Sequence, residues 1–201
     1  MKRYFGWVGF AALLQTIVYS PALFAQSSPL EHLKTSLASV QQGLNDPKLA
    51  GDKYRLQRRK LVRTVLEQLF DFDEMSRRSL GANARRYKDR LPEFTPLFVD
   101  FLEHAYLGTL EENGDATIRY VKETVDGENA QINTKTRLKD GSEYDVNYKL
   151  YLSPMGWRVY DVSVEDISLV NSYRSQFNRV LSKKSFDELL QDLHAKREVF
   201  N

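Results

Sequence analysis

The chain has 201 residues, with 29 Lys and Arg against 27 Asp and Glu, so its formal charge at pH 7 is only +2. That balance excludes the net basic face that a nucleic-acid binder needs to neutralise phosphates. There is no cysteine, which excludes disulfides, thiolate nucleophiles and Cys-based metal sites and leaves stability to packing.

Lys2 and Arg3 precede an apolar run from Phe5 to Val18, Pro21 breaks it, and Ala25 is a small residue suited to cleavage before Gln26. This pattern predicts a signal peptide over 1–25 and an exported mature chain over 26–201, a single domain. An uncleaved anchor is the competing reading; the short apolar run and the turn before Ala25 favour cleavage. Removing 1–25 takes Lys2 and Arg3 away and leaves 27 basic and 27 acidic side chains.

Leu30, Leu33, Leu37, Val40 and Leu44 recur three and four apart, which predicts an amphipathic helix over Pro29–Leu44, ended by Asn45-Asp46-Pro47. A second helix is expected from about Asp52 to Leu69, with Arg55, Arg59 and Arg63 as a basic stripe. That stripe, and the clusters Arg77-Arg78 and Arg85-Arg86-Lys88-Arg90, read either as solvated helix surface or as contacts for anionic headgroups or acidic partners. Asp71 and Glu74 have the spacing of a capping box for a short helix ending at Gly81. Capping accounts for these acids without a metal. From Pro92 to Leu110 the apolar residues cover more than one stripe, which predicts a helix in contact on several sides.

The period then changes. Runs at about 116–125, 128–139, 142–152 and 157–164 are separated by Asp126-Gly127, Asp140-Gly141 and Ser153-Pro154-Met155-Gly156, which predicts a four-stranded antiparallel meander. Tyr144, Val146, Tyr148, Leu150 and Leu152 fall on one face of the third strand. Helices at about 167–182 and 185–199 close the chain, the last with Ser185 as N-cap and Glu188 three residues on. The class is α+β: N-terminal helices, a four-stranded curved antiparallel meander and C-terminal helices around an interior that is either filled or open to a ligand.

Catalytic motifs are missing. His32, His104 and His194 fall in separate helices, and no zinc-protease, nucleophile-elbow or phosphate-loop pattern occurs. Asp161 between Tyr160 and Val162, with Tyr148 as a donor, is the one conceivable acid–base pair. Tyr173 and Arg174 are expected to pin their helix to the sheet through hydrogen bonds and a stacked guanidinium.

Two segments resemble one family. The run Phe70-Asp71-Phe72-Asp73-Glu74-Met75-Ser76-Arg77-Arg78-Ser79-Leu80-Gly81 and the stretch from Gly156-Trp157 through Ser163 to Tyr173-Arg174-Ser175-Gln176-Phe177 are similar to the MlaC (toluene-tolerance) family of periplasmic phospholipid carriers. The aromatic helix ending near Tyr106 fits the same pattern. The resemblance implies a nuclear-transport-factor-like roll enclosing an apolar cavity, no covalent chemistry and no cofactor. Bound glycerophospholipid would be the cargo. The implied partners are the inner-membrane Mla ABC transporter complex and the outer-membrane MlaA lipoprotein–porin complex, the implied role the maintenance of outer-membrane asymmetry. Nucleic acid is not among the partners. Fifteen residues become candidate lipid contacts: Phe72, Met75, Leu80, Phe98, Phe101, Leu102, Tyr106, Val146, Tyr148, Leu150, Val159, Val162, Val164, Ile167 and Val170. Taken singly each reads as ordinary core; only the resemblance gathers them into a cavity. A small-molecule isomerase-like enzyme on the same roll, using Asp161, and a ligand-free periplasmic adaptor with a filled core are the alternatives.

Overall fold

The computed structural model describes residues 28–198; the predicted signal segment and its cleavage point lie outside the described residues. Helix α1 (Pro29–Leu44) starts where Ser28 Oγ accepts the Glu31 amide at 3.1 Å, a side-chain cap on an otherwise orphaned donor. Two single-turn 3-10 segments lead into α2 (Arg55–Leu69). The two helices lie side by side, with Val40 against Val62 and Leu107.

The chain then crosses to a second group of helices. Phe70 forms a parallel bridge with Val159, and the Asp71 amide donates to the Val159 carbonyl at 2.8 Å. Asp71 Oδ1 accepts the Glu74 amide at 2.9 Å and starts α3 (Phe72–Leu80). The cap is as expected, but the reciprocal half of the box is not made. The Asp71 amide is already engaged by Val159, and the Glu74 carboxylate turns to Arg77 and Arg78 instead. A four-residue helix α4 (Asn83–Arg86), unheralded in the sequence, precedes the long α5 (Leu91–Glu112).

Strands β1 (Thr117–Asp126), β2 (Asn129–Arg137), β3 (Glu143–Ser153) and β4 (Gly156–Val164) form the expected meander, and a two-residue β5 (Ile167–Ser168) adds a fifth strand. The order is β1-β2-β3-β4-β5. Gly127 and Gly141 take the positive φ that their turns require (55° and 87°). The turn into β5 uses Glu165 and Asp166 at φ 48° and 63°, a two-residue hairpin loop without glycine. It is braced by Glu165 N donating to Asp145 O (2.9 Å) and Asp145 N donating to Glu165 Oε1 (2.7 Å).

Helices α6 (Leu169–Leu181) and α7 (Phe186–Glu198) complete the described chain. The α7 start is a full capping box: Glu188 N donates to Ser185 Oγ at 3.2 Å, and Ser185 N to Glu188 Oε2 at 2.8 Å.

The sheet remains open, correcting the closed, cavity-enclosing roll. β1 and β5 are opposite edges that do not pair. Register shifts occur in β1 at Tyr120/Lys122 and between β3 and β4 at Lys149/Leu150; each bends and twists a strand locally without closing the sheet.

The apolar residues form separate cores. One is helical, built from Met75, Leu80, Phe94, Phe98 and Leu102 on α3 and α5 with Val170, Tyr173, Phe177 and the α7 residues Phe186, Leu189 and Leu193. A second joins Leu33 and Leu69 to Ala130, Ile132, Tyr148, Leu150, Trp157 and Val159 of the sheet, and a small third one is the Val40, Val62 and Leu107 contact between α1, α2 and α5. Phe70 packs against the first two, so the crossing point is also the apolar bridge.

Arg174 does not pin α6 to the sheet as expected. Its Nε donates to Arg78 O at 2.9 Å at the end of α3, and its Cγ and Cδ lie over Gly81, where an added Cβ would stand 3.1 Å from both. Gly81 has φ 57° and ψ −126°. Gly81→Ala is therefore expected to cost about 1–2 kcal/mol through backbone strain and displacement of Arg174. This would be read as a lowered urea midpoint at unchanged m value.

Candidate functional site

The inner face of the sheet follows from the register. Tyr148 pairs with Ile132 and Val162, Leu150 with Ala130 and Val159, Val146 with Thr134 and Val164. Helix α1 runs along this face near β1: Leu30 N reaches Glu123 Oε1 (2.9 Å) at one end and Gln41 Nε2 reaches Ala116 O (2.6 Å) at the other. Cover is uneven. At the end where α1 and the Phe70 crossing pack, Ile132, Leu150 and Val159 are fully buried. Towards the other end Val146 and Val162 are half-buried, while Tyr144, Val164 and Ile167 are exposed at 39%, 46% and 69%. On α5, Tyr106 (43%) and Leu110 (39%) are exposed as well.

The fifteen candidate contacts therefore divide. Met75, Leu80, Phe98, Leu102 and Val170 are buried in the helical core, with Phe72 and Phe101 packed against it. Tyr148, Leu150 and Val159 are buried in the sheet core, with Val146 and Val162 against it. Tyr106, Val164 and Ile167 form no part of either interior. Sequence reasoning missed Ile132 and Ala130, which the alternation of β2 signals, and Leu33 and Leu69, whose helices gave no sign of facing the sheet.

Two concavities on the described surface lie elsewhere. One, of about 530 Å³, is lined by Asp71, Asp73, Glu74, Arg77, Lys88, Leu91, Pro92, Thr95 and Tyr151. The other, of about 350 Å³, is lined by Leu97, Leu190, Gln191, His194 and Ala195. None of the fifteen residues lines either. Twelve of the fifteen apolar side chains expected around an open cavity are packed in or against the two interiors.

The acid–base alternative fails on geometry. Asp161 stands opposite Lys149, whereas Tyr148 pairs with Val162, so carboxylate and phenol lie on opposite faces of the sheet. Asp161 is 4% exposed and accepts from Ser168 Oγ (2.7 Å) and the Val170 amide (3.1 Å), with Lys149 Nζ at 3.9 Å. It ties β4 to the start of α6. Burial raises the Tyr148 phenol above its ordinary range, which holds its proton on.

Of the basic stripe on α2, Arg59 and Arg63 turn toward α5, while Arg55 stays exposed. Arg59 binds Glu111 through two nitrogens, Arg58 also reaches Glu111, and Arg63 binds Glu67, Asp100 and Glu103. These pairs clamp α2 to α5 and raise the Arg59 and Arg63 pKa values, chiefly through the bonds to Glu111 and Glu67. Arg77 and Arg78 share Glu74, where desolvation is outweighed by the two guanidinium contacts and the carboxyl titrates below its usual range. Arg90 pairs with Glu93 and Asp187. Arg85, Arg86 and Lys88 remain exposed. No group of three or more His, Cys, Asp or Glu among the described residues is placed to hold a metal, and no described helix is long and apolar enough to cross a membrane.

An open antiparallel sheet, helices on its inner face and an apolar interior define an α+β fold. The chain belongs to the MlaC family: the family model, described as MlaC protein, matches residues 34–195. Among solved structures, the chain resembles one described as the phospholipid-binding protein from Ralstonia solanacearum in complex with a phospholipid. The TM-score is 0.77 at 23% identity, covering 87% of this chain and 99% of that one. No curated protein matches the chain significantly.

Proposed function

We propose that this protein is a periplasmic phospholipid carrier, exported by a cleaved signal over residues 1–25. Membership of the MlaC family carries the reading, supported by the fold it shares with a protein described as phospholipid-binding. The tails would lie between the inner face of the sheet and α5 and α6, parting the two apolar cores on the side away from the Phe70 bridge. The fifteen residues named above are the proposed contacts.

The energetics suit such a role. Burial is worth about 0.8 kcal/mol per CH₂, so two tails of about fifteen methylenes each approach 25 kcal/mol, an upper bound. That barrier forbids free diffusion through water, and part of the gain offsets the separation of the two cores. Release then requires a docked partner. An inner-membrane Mla ABC transporter complex and an outer-membrane MlaA complex are the proposed pair.

The test is titration of a phospholipid carrying a fluorescent acyl chain into the mature protein, residues 26–201. Saturable binding at a fixed small stoichiometry, competed by unlabelled phospholipid regardless of headgroup, is expected. Non-saturable binding would leave the filled-core adaptor as the better account.

A further inference from the structure

Two tyrosine hydroxyls meet where the helical core reaches the surface. Tyr106 Oη on α5 and Tyr173 Oη on α6 are 3.2 Å apart. Tyr173 is 6% exposed and its ring is fixed by Phe98, Phe101 and Phe177, with centroids at 5.2, 5.5 and 5.7 Å. Tyr106 is 43% exposed. The pair thus runs from a dry aromatic layer to solvent, as an amphipathic phenol does at an apolar–polar boundary.

The hydrogen-bond count gives the pair a direction. Each hydroxyl has one proton and two acceptor sites. If Tyr106 donated, the Tyr173 proton would be buried among rings; with Tyr173 donating, that buried proton is satisfied and the Tyr106 proton is left to the exposed side. Accepting one bond also polarises Tyr106 as a donor. Burial, then the bond to Tyr106, raises the Tyr173 pKa above its ordinary range, so its proton stays on the oxygen.

The location matches a lipid's own boundary. β5 runs directly into α6, and its Ile167 pairs with Val164 at the less covered end of the inner face; Tyr173, in the second turn of α6, stands near that end. Leu102 and Leu110 flank Tyr106 four residues either way on α5. The charged groups nearby on α5 are Asp100, Glu103 and Glu111, bound to Arg58, Arg59 and Arg63. With these arginines already engaged by carboxylates, the neutral Tyr106 phenol suits an uncharged acceptor rather than a phosphate. In a diacyl phospholipid the uncharged acceptors at the head–tail boundary are the two ester carbonyls.

We infer that the Tyr106 hydroxyl, oriented by Tyr173, donates a hydrogen bond to an acyl-ester carbonyl of the bound lipid, fixing how deep the tails sit without reading the headgroup. This rests on the carrier reading above. It makes Tyr106 a specificity residue for diacyl over dialkyl lipids.

The test compares dioleoyl phosphatidylglycerol with its dialkyl-ether counterpart as competitors for a fluorescent phospholipid, in the wild type, Tyr106→Phe and Tyr173→Phe. The wild type is expected to prefer the diester by about three- to tenfold, the worth of one net hydrogen bond. Tyr106→Phe is expected to abolish that preference by weakening the diester alone. Tyr173→Phe, which keeps the donor but loses its orientation, should reduce the preference partly. Equal wild-type affinity for the two lipids, or a Tyr106→Phe protein that keeps the preference or weakens both lipids alike, would overturn the inference while leaving the carrier intact. A wild type that binds neither lipid would overturn the carrier reading itself.

Discussion

Phe98→Ala is expected to lower the unfolding free energy by about 3–5 kcal/mol. Phe98 is 1% exposed and its ring meets Phe94, Tyr173 and Phe177 at centroid distances of 5.5, 5.2 and 5.4 Å. Its partners come from α5 and α6, both packed against α3 and α7, so the space left is lined by rings held from several sides. The loss is a large part of the 5–15 kcal/mol typical of a domain, and urea denaturation would show it as a shifted midpoint. Anything that binds only the folded state adds stability, and an acyl chain that reaches the vacated space adds contacts too. The penalty should therefore be smaller when the protein is unfolded from its lipid-loaded form. A loss under about 1 kcal/mol would mean that the aromatic layer is loosely packed, against the geometry.

Asp161→Ala is expected to cost about 3 kcal/mol, because it strands the Val170 amide and the Ser168 hydroxyl and leaves Lys149 without its nearest carboxylate. Asp161→Asn should cost about half as much, since its amide oxygen can still accept from Val170. Thermal unfolding of both variants would give the order wild type, Asn, Ala. An Asp161→Ala protein as stable as the wild type would contradict this anchoring role. The isomerase alternative required the opposite outcome, an intact fold with lost turnover, and the opposed faces of Tyr148 and Asp161 already remove its acid–base pair.

Local signals were legible in the sequence and non-local ones were not. The period of Leu30, Leu33, Leu37 and Val40 located α1 to its observed bounds. Asp126-Gly127 and Asp140-Gly141 located two hairpins, because glycine is the residue that accepts their positive φ. β5 escaped because it has two residues and its turn is made by Glu165 and Asp166, neither a glycine.

The direction of the basic stripe was beyond local reasoning. Arg59 reaches a carboxylate 52 residues away and Arg63 one 40 residues away, and only the placement of α5 against α2 shows that these charges face inward. Likewise, alternation put Asp161 in a strand, but the register shift opposite Lys149 and Leu150 decides its face. The division of the apolar residues into separate cores follows from which helix covers which surface, a relation without a fixed sequence spacing.

The central claim is that a phospholipid occupies the interior between the sheet and the helices. Native mass spectrometry of the mature protein, purified from bacteria without detergent and measured again after organic extraction, tests it most directly. Stoichiometric phospholipid of mixed headgroup, lost on extraction, is the predicted result. Lipid-free protein throughout, still lipid-free after incubation with phospholipid vesicles, would contradict it.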